Sequence, residues 1–287
     1  MTLDQLDTQR HITETPSGPI SYVDVGDGPP ALFIHGVGLS NLLWRGVIAG
    51  VSDMRRCLAL DLPLHGHSPA RPDQDFSVRA LGQLLDEFCE SLDLDAVDLV
   101  ANDTGGAIAQ VFAARHPQRI RSLTLTNCDT RDNLPPEGFL PTVELAAQGQ
   151  LAPFGVQLVE TPELARTGPL GAGYEDPAHL SDDLVRAYLT PVVGDLSRGR
   201  QFERCLTALV NQDLVDIEPL LAKLTAPTLL VWGTGDELFP TSFAYWLRDL
   251  IPGATEVVEI PGAKLFFPDE RPDDLIPHLR RHWAATA

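Results

Sequence analysis

The sequence predicts an α/β protein: a mostly parallel sheet flanked by helices, interrupted by an insertion that forms a helical lid. Three observations carry this. Short apolar runs of strand character alternate with stretches whose apolar residues recur at helical spacing. That rhythm stops between about Asp129 and Asp213 and then resumes. With 287 residues, 44% of them hydrophobic, the chain can bury one substantial core. The expected division is a core of residues 1–129 and 214–287, with residues 130–213 as the lid.

Taken in order, Ile20–Val25 alternates apolar and polar residues and runs into the turn Asp27-Gly-Pro-Pro. The apolar run Ala31–Ile34 leads to His35-Gly36-Val37-Gly38, and Cys57–Leu60 reads as a buried strand followed by the loop Asp61–Ser68. Phe76–Leu92 has helical periodicity, Val97–Ala101 is a strand, and Gly106–Ala114 is a helix rich in small residues. Ile120–Thr126 and Thr228–Trp232 are further strands; Phe243–Leu250 is a helix, Glu256–Ile260 a strand and Asp273–Ala284 a closing helix. Inside the insertion, Pro135, Pro136 and Gly168–Gly173 mark a loop-rich start, and helices are expected over Asp182–Leu189 and Phe202–Leu209. An insertion this long in such an alternation usually covers a site.

The formal charge of −19 argues against nucleic acid or an anionic membrane as partner. No stretch approaches the roughly 20 apolar residues of a membrane span, and Met1–Arg10 has no apolar signal core, so a cytoplasmic location is expected. Lysine occurs only at 223 and 264. Cys57, Cys89, Cys128 and Cys205 show no CxxC spacing, and reduced, mostly buried thiols are expected. No metal cluster or phosphate loop is visible, so no metal and no cofactor is implied.

The chemistry centres on Leu99-Val-Ala-Asn-Asp-Thr-Gly-Gly106. A sharp strand-to-helix turn strains its central residue and needs small neighbours. Centred on Asp103, the flanks are Ala101, Gly105 and Gly106; centred on Thr104, the bulkier Asn102 would fall in a small position. The helix that follows presents its N-terminus to any negative charge developing there.

With this turn, His35-Gly-Val-Gly38, Asp61-Leu-Pro…His65-Gly…Ser68 and Gly233-Thr-Gly-Asp236, the chain resembles an α/β-hydrolase over most of its length. An aspartate at the elbow points to the branch of epoxide hydrolases and haloalkane dehalogenases. The resemblance implies that Asp103 attacks carbon and forms an ester. It implies Val37 and Thr104 as oxyanion-hole residues through their backbone N–H groups, and Asp236 as the triad acid. Asp129 is a second candidate acid, although loop acids are more often solvated. His35 is expected to hold loops together; with Gly36 it is also placed against the substrate.

One departure stands out. The resemblance calls for a histidine after the last strand, and in Pro261-Gly-Ala-Lys-Leu-Phe-Phe-Pro-Asp-Glu270 that place belongs to Leu265, which is then expected against substrate. His278 and His282 are expected at the surface, while His65 or His67 could reach the site. If Asp103 and Asp236 face one another across Leu265, burial should raise the pKa of one of them, and the pair could work as acid and base with no ester. The halide-binding Trp of dehalogenases is lacking, since Thr104 follows Asp103 and no Trp lies between Trp44 and Trp232. Tyr174 and Tyr188 are the candidates for the epoxide-protonating lid tyrosines, with Phe202 near where one would be sought and Gly38 in place of the usual Pro.

Three functions follow. The first is an epoxide hydrolase-like enzyme acting on a small hydrophobic molecule through Asp103. The second is a non-hydrolytic cyclase, lyase or isomerase of secondary metabolism, with Asp103 moving a proton. The third is a catalytically silent ligand-binding protein. The partner expected in each is a small molecule; a homodimer through Phe266-Phe267 or the lid is compatible with the sequence.

Overall fold

The computed structural model describes residues 1–285. Eight strands form one sheet: β1 (Arg10–Thr15), β2 (Gly18–Val25), β3 (Pro30–Ile34), β4 (Arg56–Leu60), β5 (Val97–Asp103), β6 (Ile120–Cys128), β7 (Thr228–Gly233) and β8 (Ala254–Ile260). Their order is β1-β2-β4-β3-β5-β6-β7-β8. β1 and β2 are joined antiparallel, as are β2 and β4, and every other pairing is parallel. The mostly parallel sheet therefore matches the expectation. β1 was not expected: it is an edge strand whose Ile12 is 65% exposed, so it lacks the apolar face that marks a strand in sequence.

All seven residues of β5 are buried, as a strand covered by helices on both sides requires. Around the sheet lie α1 (Arg45–Val51), α2 (Val78–Ser91), α3 (Thr104–Arg115), α8 (Ser242–Leu250) and α9 (Pro272–Ala285), the numbers α4 to α7 belonging to the insertion. Every residue of α3 from Thr104 to Ala114 is buried, which explains its small side chains. A Cβ at Gly82 of α2 would press on Val111 of α3, so the two helices pack backbone-close.

The insertion is more helical than expected. It contains α4 (Leu140–Ala147), α5 (Leu151–Glu160), α6 (Asp182–Val193) and α7 (Leu196–Thr207), with short helices at Pro162–Arg166 and Pro169–Ala172. Pro169, within the expected loop Gly168–Gly173, opens a helix, as Pro141 and Pro162 do. Pro141, Pro162 and Pro169 sit in first turns, where a missing N–H goes unused and the fixed φ already suits the helix. Phe266 and Phe267 are 5% and 0% exposed, so they pack in the core and offer no dimer surface. His278 and His282 are half-buried rather than fully at the surface. All four cysteines are free and buried, and among the described residues no helix is long and apolar enough to cross a membrane.

At the amino ends of the central strands, fully buried Asp98 accepts from Arg55 Nε at 2.7 Å, Ser122 Oγ at 2.7 Å and Arg121 Nε at 3.2 Å. The Arg55 side chain is only 6% exposed. Asp98→Ala would leave that guanidinium buried without its counter-charge, so a loss of about 3–5 kcal/mol is expected in urea unfolding. A loss under about 1 kcal/mol would show that the pair contributes little.

Candidate active site

β5 ends and α3 begins at Asp103, whose φ of 57° and ψ of −139° place a non-glycine residue in a region costing on the order of 1–3 kcal/mol. The surroundings make that conformation obligatory. A Cβ at Gly36 would collide with the Asp103 carboxylate; at Gly105 it would strike the carbonyls of Ile34 and His35, and at Gly106 the Cys128 side chain. Only glycine lets β3, β6 and the start of α3 converge on one aspartate. Asn102 braces the turn from beneath, donating through Nδ2 to Thr126 Oγ1 and to the Leu265 carbonyl, both at 3.0 Å.

The Asp103 side chain opens into a cavity of about 270 Å³. Val37, Gly38, Thr104, Leu265 and Phe266 form its floor beside Asp103, and Phe139, Leu145, Phe154, Leu158 and Phe202 of the insertion are among the residues opposite. Among the described residues, Asp103 is the one ionisable group lining this cavity, and Thr104 and Thr142 are the hydroxyl-bearing ones. Burial pushes the Asp103 carboxyl up to about 7; the Thr104 backbone N–H opposes the shift and the Asp236 charge adds to it.

Asp236 lies in the loop after β7, where its carboxylate accepts from Asn127 Nδ2 at 2.8 Å and from the Leu238 N–H at 2.8 Å. Burial raises it to about 6, against these hydrogen bonds and the charge of nearby Lys264. Asn127 was not singled out in the sequence. At the end of β6 it also pairs with Gly233 in both directions, its Oδ1 accepting at 2.6 Å and its Nδ2 donating at 3.0 Å, which fixes the loop carrying Asp236. A polar Thr-Asn pair closing a buried strand was the available signal.

Asp129 corrects an expectation. It is fully buried rather than solvated, because β6 runs on to Cys128, the register partner of Asp103, and delivers the next residue behind the elbow. Neither carboxylate oxygen has a well-formed hydrogen bond. Burial drives its pKa well above the usual carboxylate range, with the Asp103 charge the next cause. Gln110 of α3 donates to its backbone carbonyl at 2.8 Å.

The histidines do not supply a base. His35 Nε2 accepts from the Leu62 N–H at 3.0 Å while its other ring nitrogen donates to the Gly36 carbonyl at 2.7 Å. His65 Nε2 accepts from the Gly38 N–H at 3.1 Å and its Nδ1 donates to the Pro63 carbonyl at 3.0 Å. Burial lowers the two to about 3 and about 4, so both are neutral braces for the segment from His35 to Gly38. His67 is mostly exposed and lies outside the cavity. His35 and Gly36 therefore shape the floor without lining it.

Tyr174 and Tyr188 also stand apart from the cavity. Both are buried, Tyr174 with its ring against Phe266, and their hydroxyls point at Asp269 Oδ2, at 2.9 and 3.4 Å. Arg45 pairs with the other oxygen of that carboxylate. The expectation that these tyrosines meet substrate is not met, because a buried charge pair already uses them. Among the described residues no set of three His, Cys, Asp or Glu is arranged to hold a metal ion.

Residues 29–271 match the alpha/beta hydrolase fold family. The chain belongs to that family. Haloalkane dehalogenase 2 of Mycobacterium tuberculosis is 28% identical over 270 residues, covering 89% of this chain and 88% of that protein. The structure of haloalkane dehalogenase DbeA from Bradyrhizobium elkani matches with a TM-score of 0.78 at 22% identity, over 96% of this chain and 99% of that one. The epoxide hydrolase CorEH matches with a TM-score of 0.77 at 19% identity, over 97% and 99%. In this alpha/beta hydrolase fold, the nearness of three carboxyl groups has a measurable consequence. Asp103, Asp129 and Asp236 all titrate higher folded than in an unfolded chain, which lowers stability as pH rises above about 4. His35 and His65, kept neutral by burial, raise it up to about pH 6.5, so the carboxyl effect stands unopposed by them only above that pH. Thermal melting should therefore decline from about pH 6.5 to pH 8, by a few kcal/mol in stability, and less steeply in Asp129→Asn. A wild-type profile flat across that range would contradict the burial of these groups as acids.

Proposed function

We propose that this chain is an enzyme acting on a small hydrophobic organic molecule through Asp103, with an epoxide as the substrate class that fits best. The observation that carries it is the single carboxyl on the floor of an otherwise apolar cavity, held there by a strained turn. The helices of residues 130–213 act as a lid that keeps water from the reacting group. The dehalogenase and epoxide hydrolase relatives support a substrate with an electrophilic carbon. Loss of halide is the less favoured variant, because the cavity has no tryptophan to bind the leaving ion.

In the epoxide hydrolase-like course, ionised Asp103 attacks a ring carbon, the Val37 and Thr104 N–H groups stabilise the oxyanion formed later, and water releases the ester with Asp236 as triad acid. That course needs a base where Leu265 stands and a proton donor for the ring oxygen, and the tyrosines that would donate are held by Asp269. A second reading answers both needs. Protonated Asp103 donates to the ring oxygen, the carbon–oxygen bond breaks with its electron pair staying on that oxygen, and the resulting carboxylate removes a proton from an adjacent carbon. The net change is a rearrangement without water, an isomerase-type reaction.

Incubation with aliphatic and aryl epoxides in ¹⁸O-labelled water separates the courses. Hydrolysis incorporates solvent oxygen over repeated turnovers and strengthens as pH rises through about 7, where Asp103 ionises; rearrangement leaves the product unlabelled and weakens over the same interval. Asp103→Asn should lower either activity by about 10²-fold or more. A ligand-induced rise in melting temperature with no product, or full activity in Asp103→Asn, would sink the proposal.

A further inference from the structure

We infer that Asp129 and Asp103 hold one proton between them, and that Asp129 is the positioning residue that sets whether Asp103 meets the substrate as an acid or as a carboxylate. The inference rests on the reading that Asp103 faces the substrate, and it assigns to Asp129 a duty that the hydrolytic course does not use.

Asp129 follows Cys128, which is paired in register with Asp103 across β5 and β6, so the chain brings the two carboxyl groups to the same edge of the sheet. Gly106 of α3 packs on Cys128 and Gln110 anchors the Asp129 carbonyl, which together fix the backbone at that residue. The Asp129 carboxyl is fully buried with no well-formed hydrogen bond to either oxygen, and the weak support it has comes from the Thr104 side chain and its own backbone N–H. A carboxylate in that condition would be among the most costly groups a protein can bury, whereas a neutral carboxylic acid is tolerable.

The groups around it reinforce this. Asp103 faces it from the elbow, Asp236 from the loop after β7, and the Cys128 thiol from β6, and none of these can offer a positive charge. The Thr104 side chain from α3 favours the ionised form, and Lys264 acts on Asp236. Two carboxylates in one apolar region repel, so the first proton removed makes the second far harder to remove.

The consequence for the reaction balances. When Asp103 gives its proton to a substrate oxygen, the pair carries two negative charges in a site with no cation of its own. That repulsion strengthens Asp103 as a base, so the proton is recovered from the substrate carbon and the pair returns to its singly charged state. Asp129 never touches the substrate, since it does not line the cavity.

The test needs no substrate. In protein labelled with ¹³C at the aspartate carboxyl carbons, the Asp103 resonance (assigned with Asp103→Asn) is followed from pH 4 to pH 9 in wild type, Asp129→Asn and Asp129→Glu. The expected result is a wild-type Asp103 titration in two steps, a midpoint at least about one pH unit lower in Asp129→Asn, and recovery toward wild type in Asp129→Glu. An Asp103 midpoint unmoved by Asp129→Asn would overturn the inference, as would a single unperturbed step in the wild type, which covers the case of a variant that does not fold. Because no turnover is involved, that outcome would leave the role of Asp103 toward substrate standing, whereas an inactive cavity would remove that role without altering the titration.

Discussion

The site depends on one backbone constraint: an aspartate at φ 57° between a parallel strand and a helix that has no room for side chains around it. The strain is small beside the packing that enforces it. β5 is buried along its whole length, α3 is buried on nearly every side, and three glycines allow main chains to approach the elbow. A residue so over-determined cannot relax to a common conformation without opening the sheet edge. Its carboxyl therefore stays on the floor of an apolar cavity, where desolvation is the leading cause of its raised pKa.

Desolvation also explains why the surrounding polar groups separate into two kinds. Those tied to the backbone are structural: His35 and His65 hold the segment leading to Val37 and Gly38, the Asn102 amide nitrogen ties the elbow to the Leu265 carbonyl, and Asn127 carries Asp236. Tyr174, Tyr188 and Arg45 gather on Asp269, joining the insertion to the core. Asp129 belongs to neither kind, since it is buried with no well-formed hydrogen bond to its side chain. A group of that sort in a functional site marks a protonation equilibrium more readily than a packing role.

Much of this was legible in the sequence because the fold imposes local rules. Buried parallel strands appear as apolar runs such as Val97–Ala101, and the elbow appears as small residues at fixed offsets around Asp103. Leu265, expected against substrate, lies on the cavity floor beside Asp103. Contacts between distant segments were not legible. Nothing local in Tyr174 or Tyr188 announces that Asp269 will claim their hydroxyls, and the depth of Asp129 follows from two further residues of β6 that the strand signal in Ile120–Thr126 did not include. The helix opened by Pro169 lies where Gly168–Gly173 was expected as loop for a related reason: proline signals a break or a beginning depending on what precedes it.

The central claim is that the elbow presents the Asp103 carboxyl to a substrate bound in the covered cavity. A crystal structure of Asp103→Asn soaked with 1,2-epoxyhexane tests this most directly. The account expects the epoxide ring against residue 103, beside Val37 and Thr104, with the alkyl chain among the leucines and phenylalanines of the insertion. A ligand bound with its oxygen remote from residue 103, or a residue 103 side chain turned away from the cavity, would contradict it.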